Sequence, residues 1–184
     1  MSLLRWSHAV FNVHDMGDMI DFYTNVLGFE LSDRGPLGPE AGSPEIVFLS
    51  QSPDDHHQIA FVSKRAGADA PAALNHMAFR TGSLRDVREI GERLRKDGRA
   101  GPLLPLCHGN AWSYYFKDPE GNGLEVFCDT PWHVAQPQGK VWDPKKTDDA
   151  LLEWTRREFA SEPEFGAIDE FYAARAAHLR ERAP

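Results

Sequence analysis

Cysteine is scarce in this 184-residue chain: there are two, Cys107 and Cys128, with no CxxC spacing. That excludes a cysteine zinc centre and a disulfide framework, and leaves two buried free thiols as the expectation. Long apolar runs are missing too. No stretch approaches the length of a membrane span. Met1 to Val13 lacks the basic start and apolar core of a signal peptide, so the expected location is the cytoplasm. Positive charge is in deficit, with 20 Lys and Arg against 28 Asp and Glu, a net charge of -8. Binding nucleic acid takes concentrated Lys and Arg, so that class of partner is not expected.

What remains is a chain long enough for a sizeable core and rich in histidine, with eight. Leu4 to Val13 alternates polar and apolar residues and predicts a strand carrying His8. Asp15 is placed to cap a helix through Leu27, and Gly28 to end it. Strands follow at Phe29 to Asp33, Ile46 to Leu49 and His57 to Ser63, with a Gly/Pro loop from Gly35 to Pro44. After an aperiodic linker from Lys64 to Ala73, the order repeats. Leu74 to Arg80 is a strand carrying His76. Ser83 caps a helix through Lys96, which Asp97-Gly98 stops. Strands return, most clearly at Trp112 to Phe116 and Leu124 to Cys128, joined by a turn at Pro119 to Gly123.

The expected fold is therefore α+β. Two tandem βαβββ modules, at about 4–63 and 74–128, form a half-open, curved mixed β-sheet around a shared cleft within residues 1–130. Residues 131–184 form an extended and helical C-terminal tail, with helices at Thr147 to Ala160 and Ala167 to Arg182. It reads first as a packing or subunit-contact element and second as a lid over the cleft.

His8 and His76 hold equivalent places in the two repeats, since Asn75-His76-Met77-Ala78-Phe79 echoes Ser7-His8-Ala9-Val10-Phe11. Glu125 lies between Leu124 and Val126 on the last strand. A carboxylate there is costly unless it is paired or bound to metal, and strand alternation turns it away from its apolar neighbours. Two histidines and one carboxylate are a ligand set of non-haem Fe(II) oxygenases, and the set also suits Mn(II). His14, His56 and His178 read as ordinary surface residues. His133 reaches the cleft only if the tail folds over it. Trp112, Phe48 and Phe79 read as core first and as lining of an aromatic pocket second.

The stretches His8 to Val13 with Asp21-Phe22-Tyr23 and Leu27-Gly28-Phe29, Asn75 to Phe79, and Tyr115-Phe-Lys-Asp-Pro-Glu-Gly-Asn-Gly-Leu-Glu125 together resemble the vicinal oxygen chelate superfamily. That superfamily includes glyoxalase I, bleomycin-resistance proteins and type I extradiol dioxygenases. The continuation Asp129 to Pro137 is similar to the tail of small one-domain extradiol enzymes. Aligning the His57 to Phe61 strand on the Glu125 strand puts Ala60 where glyoxalase-type members carry a fourth ligand. The resemblance implies Fe(II)-dependent extradiol cleavage of a catechol by O2, in an assembly of identical chains. It gives His57 an acid-base role near O2, while Tyr115 and His108 hold the diol. The alternatives are a glyoxalase- or epimerase-like lyase or isomerase, and a non-catalytic antibiotic-resistance-type binding protein.

Overall fold

The computed structural model describes residues 7–37, 40–67 and 75–181. The sequence-predicted structure at residues 4–6, 68–74 and 182, and the side chains of His178 and Leu179, lie outside the described residues.

The first module opens with β1 (Ala9–Asn12) and α1 (Met16–Asp21). The Asp15 side chain accepts from the Asp18 amide at 2.9 Å, capping a helix start that would otherwise leave that donor unpaired. The helix widens into a π-helical turn over Phe22–Val26, where the Leu27 amide bonds the Phe22 carbonyl at 3.1 Å. Gly28, at φ 83°, ends it. Met19, Phe22, Tyr23 and Val26 form its buried face. Strands β2 (Glu30–Pro36), β3 (Glu45–Ser50) and β4 (Ile59–Val62) complete the module. Gly35 and Pro36 pair with Ile46 and Glu45, so the predicted loop begins later than its Gly/Pro composition suggests. The ladder overrides local turn preference here, and proline is tolerated because β2 is an edge strand.

The second module repeats this plan with β5 (Met77–Arg80), α2 (Leu84–Asp97), β6 (Leu104–Cys107), β7 (Ala111–Lys117) and β8 (Gly123–Asp129). Ser83 caps α2 and Gly98 closes it in the left-handed conformation. Gly91 is required by a close approach, since a Cβ there would lie 2.6 Å from the buried Tyr114 ring. Strand order is β1-β4-β3-β2 in one sheet and β5-β8-β7-β6 in the other, where a short tail strand at Lys140–Val141 adds a fifth beside β6, and the first and last strands of each module are parallel. The duplication read from sequence is thus a duplication of topology. Among the described residues the two sheets share no ladder.

The tail supplies β9 (Trp132–His133), β10 (Lys140–Val141), α3 (Asp148–Phe159), β11 (Gly166–Ala167) and α4 (Ile168–Glu181). Val134, Trp142, Leu151 and Phe159 join the same core as the modules. The indole N–H of buried Trp112 donates to Thr155 of α3 at 2.9 Å. Trp112 and Tyr114 alternate with Ser113 and Tyr115 along β7, and Tyr114 faces α2. So α3 packs on the same side of the sheet as α2, opposite the face that carries Glu125. It is not a lid over that face. Cys107 and Cys128 are buried free thiols, pushed up to about 11 and about 12 by burial, which leaves both unreactive.

The turn at Asp118 to Asn122 joins the modules. Glu120 is 4 % exposed. Its carboxylate accepts from the amides of His14 and Asp15, at 2.5 and 2.7 Å, just before α1. It also pairs with Arg65 at 3.1 Å. Asp118 accepts from the amides of Glu120 and Asn122 and from the Tyr23 hydroxyl of the first module. Burial pushes the Asp118 carboxyl up and these donors oppose that shift. Truncating one partner strands buried charge, so Glu120→Ala should cost about 3–5 kcal/mol of unfolding free energy, read by urea denaturation. An unchanged midpoint would show that this carboxylate does not join the modules.

Candidate metal and diol site

Strand alternation builds the site. Phe11 and Phe61 pack into the core that holds Tyr23, so His8, Val10 and Ala60 belong to the opposite, helix-free face. Val10 is 53 % exposed there. On the second sheet, Tyr115 and Ala78 are the ladder partners of Glu125 and share its face.

The register defines equivalent positions. Val10, two residues after His8, pairs with Ala60, while Ala78, two residues after His76, pairs with Glu125. Ala60 therefore stands where Glu125 stands in the other module. Likewise Phe48 pairs with Ala60 as Tyr115 pairs with Glu125. The first module carries no carboxylate at the position where the second carries one.

His76 and Glu125 come together. His76 Nε2 lies 3.4 Å from Glu125 Oε2, and its Nδ1 lies 2.7 Å from Asn75 Oδ1. An Asn75 oxygen can only accept, so Nδ1 is the donor there and Nε2 is the nitrogen that faces Glu125. The Ser113 hydroxyl, itself fully buried, donates to Glu125 Oε1 at 2.6 Å. Glu125 is 7 % exposed, and among the described residues no Lys or Arg pairs with it. Gly123 lets this strand approach the His76 strand, because a Cβ there would collide with the Asn75 carbonyl. Tyr115 joins the group, with its ring centroid 5.3 Å from that of His76. Burial first, and then the Glu125 carboxylate, push its phenol up, so it stays protonated. Its oxygen lies 2.9 Å from His108 Nε2.

His8 and His57 form a second group, with ring centroids 4.4 Å apart. Phe48 lies 4.8 Å from His57, and the Nδ1 atoms of His56 and His57 are 3.0 Å apart. Burial, with His8 and His56 beside it, holds His57 below the ordinary imidazole range. Among the described residues no three His, Cys, Asp or Glu side chains form a ready metal cage. His8 stands on one sheet and His76 and Glu125 on the other, and among the described residues no ladder bridges the seam between them. A cavity of about 570 Å³ is lined from both sides of that seam, by Ser7 and Ala9 on one and His76 to Arg80 on the other. The donor set still suits a divalent cation: exposed imidazoles flank the seam, and beside it lies a buried carboxylate that pairs with no Lys or Arg among the described residues.

His133 does not reach this site. It stacks on Phe171 at 3.6 Å and contacts Glu164, so the tail occupies it. Phe79 packs on Phe29 and Trp112 lies in the core. Sequence reasoning missed Ser113, Asn75 and the tail loop around Gln138, whose carbonyl meets His108 Nδ1 at 2.5 Å. Strand alternation could have marked Ser113, two positions before Tyr115 on the same face.

A family model for the glyoxalase/bleomycin resistance protein/dioxygenase superfamily matches residues 5–126. A biphenyl-2,3-diol 1,2-dioxygenase 3 from Rhodococcus globerulus is 28% identical over 130 residues, which is 68% of this chain and 63% of that protein. A metapyrocatechase 2 from Cupriavidus necator is 26% identical over 159 residues, 82% of this chain and 44% of that protein. The chain thus spans less than two thirds of the length of either relative. The fosfomycin resistance protein FosX from Listeria monocytogenes, solved with Mn(II) and sulfate, has a TM-score of 0.54 at 21% identity. That match covers 70% of this chain and 95% of FosX, and it shows a shared fold. No helix among the described residues is long and apolar enough to cross a membrane. Paired modules of one topology, with the family model matching across both, establish that the chain belongs to the glyoxalase/bleomycin resistance protein/dioxygenase superfamily.

Proposed function

We propose that the chain is an extradiol ring-cleaving dioxygenase for a catecholic diol, with Fe(II) held by His8, His76 and Glu125. The observation that carries this is the register equivalence of Ala60 and Glu125. It leaves three protein donors, and so leaves positions open for two diol oxygens and O2. Bound Fe(II) would lower the diol hydroxyl pKa and let electrons pass from diol to O2.

The protein's own groups do the rest. Glu125 and Ser113 fix the anionic side of the site. Tyr115, held as a phenol, offers its oxygen to a diol hydroxyl, with His108 behind it. His57, beside His8 across the seam, accepts a proton from the diol and returns it during ring opening. Both oxygen atoms of O2 end in the ring-opened, 2-hydroxymuconic-semialdehyde-type product. The aromatic-diol names of the two curated relatives support the substrate class. A glyoxalase-like lyase would need a fourth ligand, and Ala60 supplies none. A non-catalytic binding protein would have no use for this donor set.

Protein reconstituted anaerobically with Fe(II) and mixed with a catechol panel that includes biaryl diols should turn yellow and consume O2 when air is admitted. Silence across the whole panel would sink the dioxygenase assignment. His76→Ala should lose bound iron by metal analysis and at least roughly a hundredfold in turnover. Full iron occupancy in that variant would contradict the ligand set. Ser113→Ala should weaken Fe(II) binding roughly ten- to a hundredfold, measured by competition with a chelator. An unchanged affinity would show that the hydroxyl does not orient Glu125.

A further inference from the structure

The tail meets the site at the His108 ring. Its Nδ1 lies 2.5 Å from the Gln138 carbonyl oxygen and its Nε2 lies 2.9 Å from the Tyr115 hydroxyl. A carbonyl oxygen can only accept, so Nδ1 must donate. In the neutral ring Nε2 then carries no proton and can only accept from Tyr115. Tyr115 also hydrogen-bonds Glu125, so its one proton has two acceptors in reach, His108 Nε2 and the carboxylate, and the His108 tautomer bears on which of them takes it.

The Gln138 carbonyl is held in place by its neighbours. Gln136 Nε2 donates to the His108 carbonyl at 2.8 Å and contacts the Val134 carbonyl and Asn110 Oδ1 at 3.3 and 3.4 Å. Its Oε1 accepts from the Gln138 amide at 3.0 Å. One side-chain amide thus ties the backbone of His108 to the backbone of Gln138. Gln138 Nε2 adds donations to the Ala135 carbonyl at 3.1 Å and Glu162 Oε2 at 3.3 Å. Gln136 is exposed, so these bonds carry no core packing with them.

We propose that Gln136 and Gln138 are positioning residues: through the Gln138 carbonyl they fix the His108 tautomer, and through it the direction of the Tyr115 proton. The proposal deepens the dioxygenase assignment and rests on it for its catalytic meaning. Its structural half stands alone.

The test is long-range ¹H–¹⁵N spectroscopy on the full chain with ¹⁵N-labelled histidine, without metal and with Zn(II) as a diamagnetic probe. His108→Gln assigns the signal by its loss. In the native protein His108 should be protonated at Nδ1 and bare at Nε2. In Gln136→Ala/Gln138→Ala the Nε2-protonated form should appear, with Fe(II) content and thermal midpoint retained. Catechol turnover should then fall roughly ten- to a hundredfold in kcat, with KM little changed. An Nε2-protonated His108 in the native protein, or an unaltered tautomer in the double variant, would overturn the proposal. A native chain with the expected tautomer and no catechol turnover would instead count against the dioxygenase assignment alone.

Discussion

Glu120 and Asp118 are buried carboxylates that each take a partner from the other half of the chain. Between them they take the amides of His14 and Asp15, the Arg65 guanidinium and the Tyr23 hydroxyl. Taking those groups from water is costly unless each finds its partner, so the arrangement tolerates little sliding of one module on the other. The same turn starts β8. It sets where Glu125 falls along its strand and where the first module lies relative to it. The placement of Glu125 relative to the first module therefore depends on this junction.

On that frame the two modules have diverged at matched positions. Where the second carries Glu125 and Tyr115, the first carries Ala60 and Phe48. The two groups are therefore unlike. One is anionic, with Glu125 held by Ser113 and close to His76. The other is imidazole and aromatic, with His8, His57 and Phe48 packed together.

Periodicity and caps were legible because their causes are local. Asp15 and Ser83 accept from amides three residues on, and Gly28 and Gly98 close the helices they follow. The equivalence of His8 and His76 was legible as a repeat, and Glu125 as a carboxylate between apolar neighbours. Pairing was legible only where the hydrophobic pattern demanded it. Gly35 and Pro36, read as loop, are held in a strand by the edge of β3. The tail's helices were visible from caps and stripes. That α3 lies on the side opposite Glu125 depends on Trp112 finding Thr155, 43 residues away.

By itself the sequence determined the α+β class, the duplication and which residue types stand at its matched positions. These follow from side-chain period, turn chemistry and the cost of a lone carboxylate on an apolar strand. Only the tertiary structure decided who meets whom. It brought His76 to Glu125 and His8 to His57, docked Glu120 under α1, and ran the tail past His108 so that the Gln138 carbonyl meets its ring. Hydrogen bonds and buried charges need a partner but not a particular sequence separation. Their pairings, from one residue apart to over a hundred, are set by packing and leave no periodic trace along the chain.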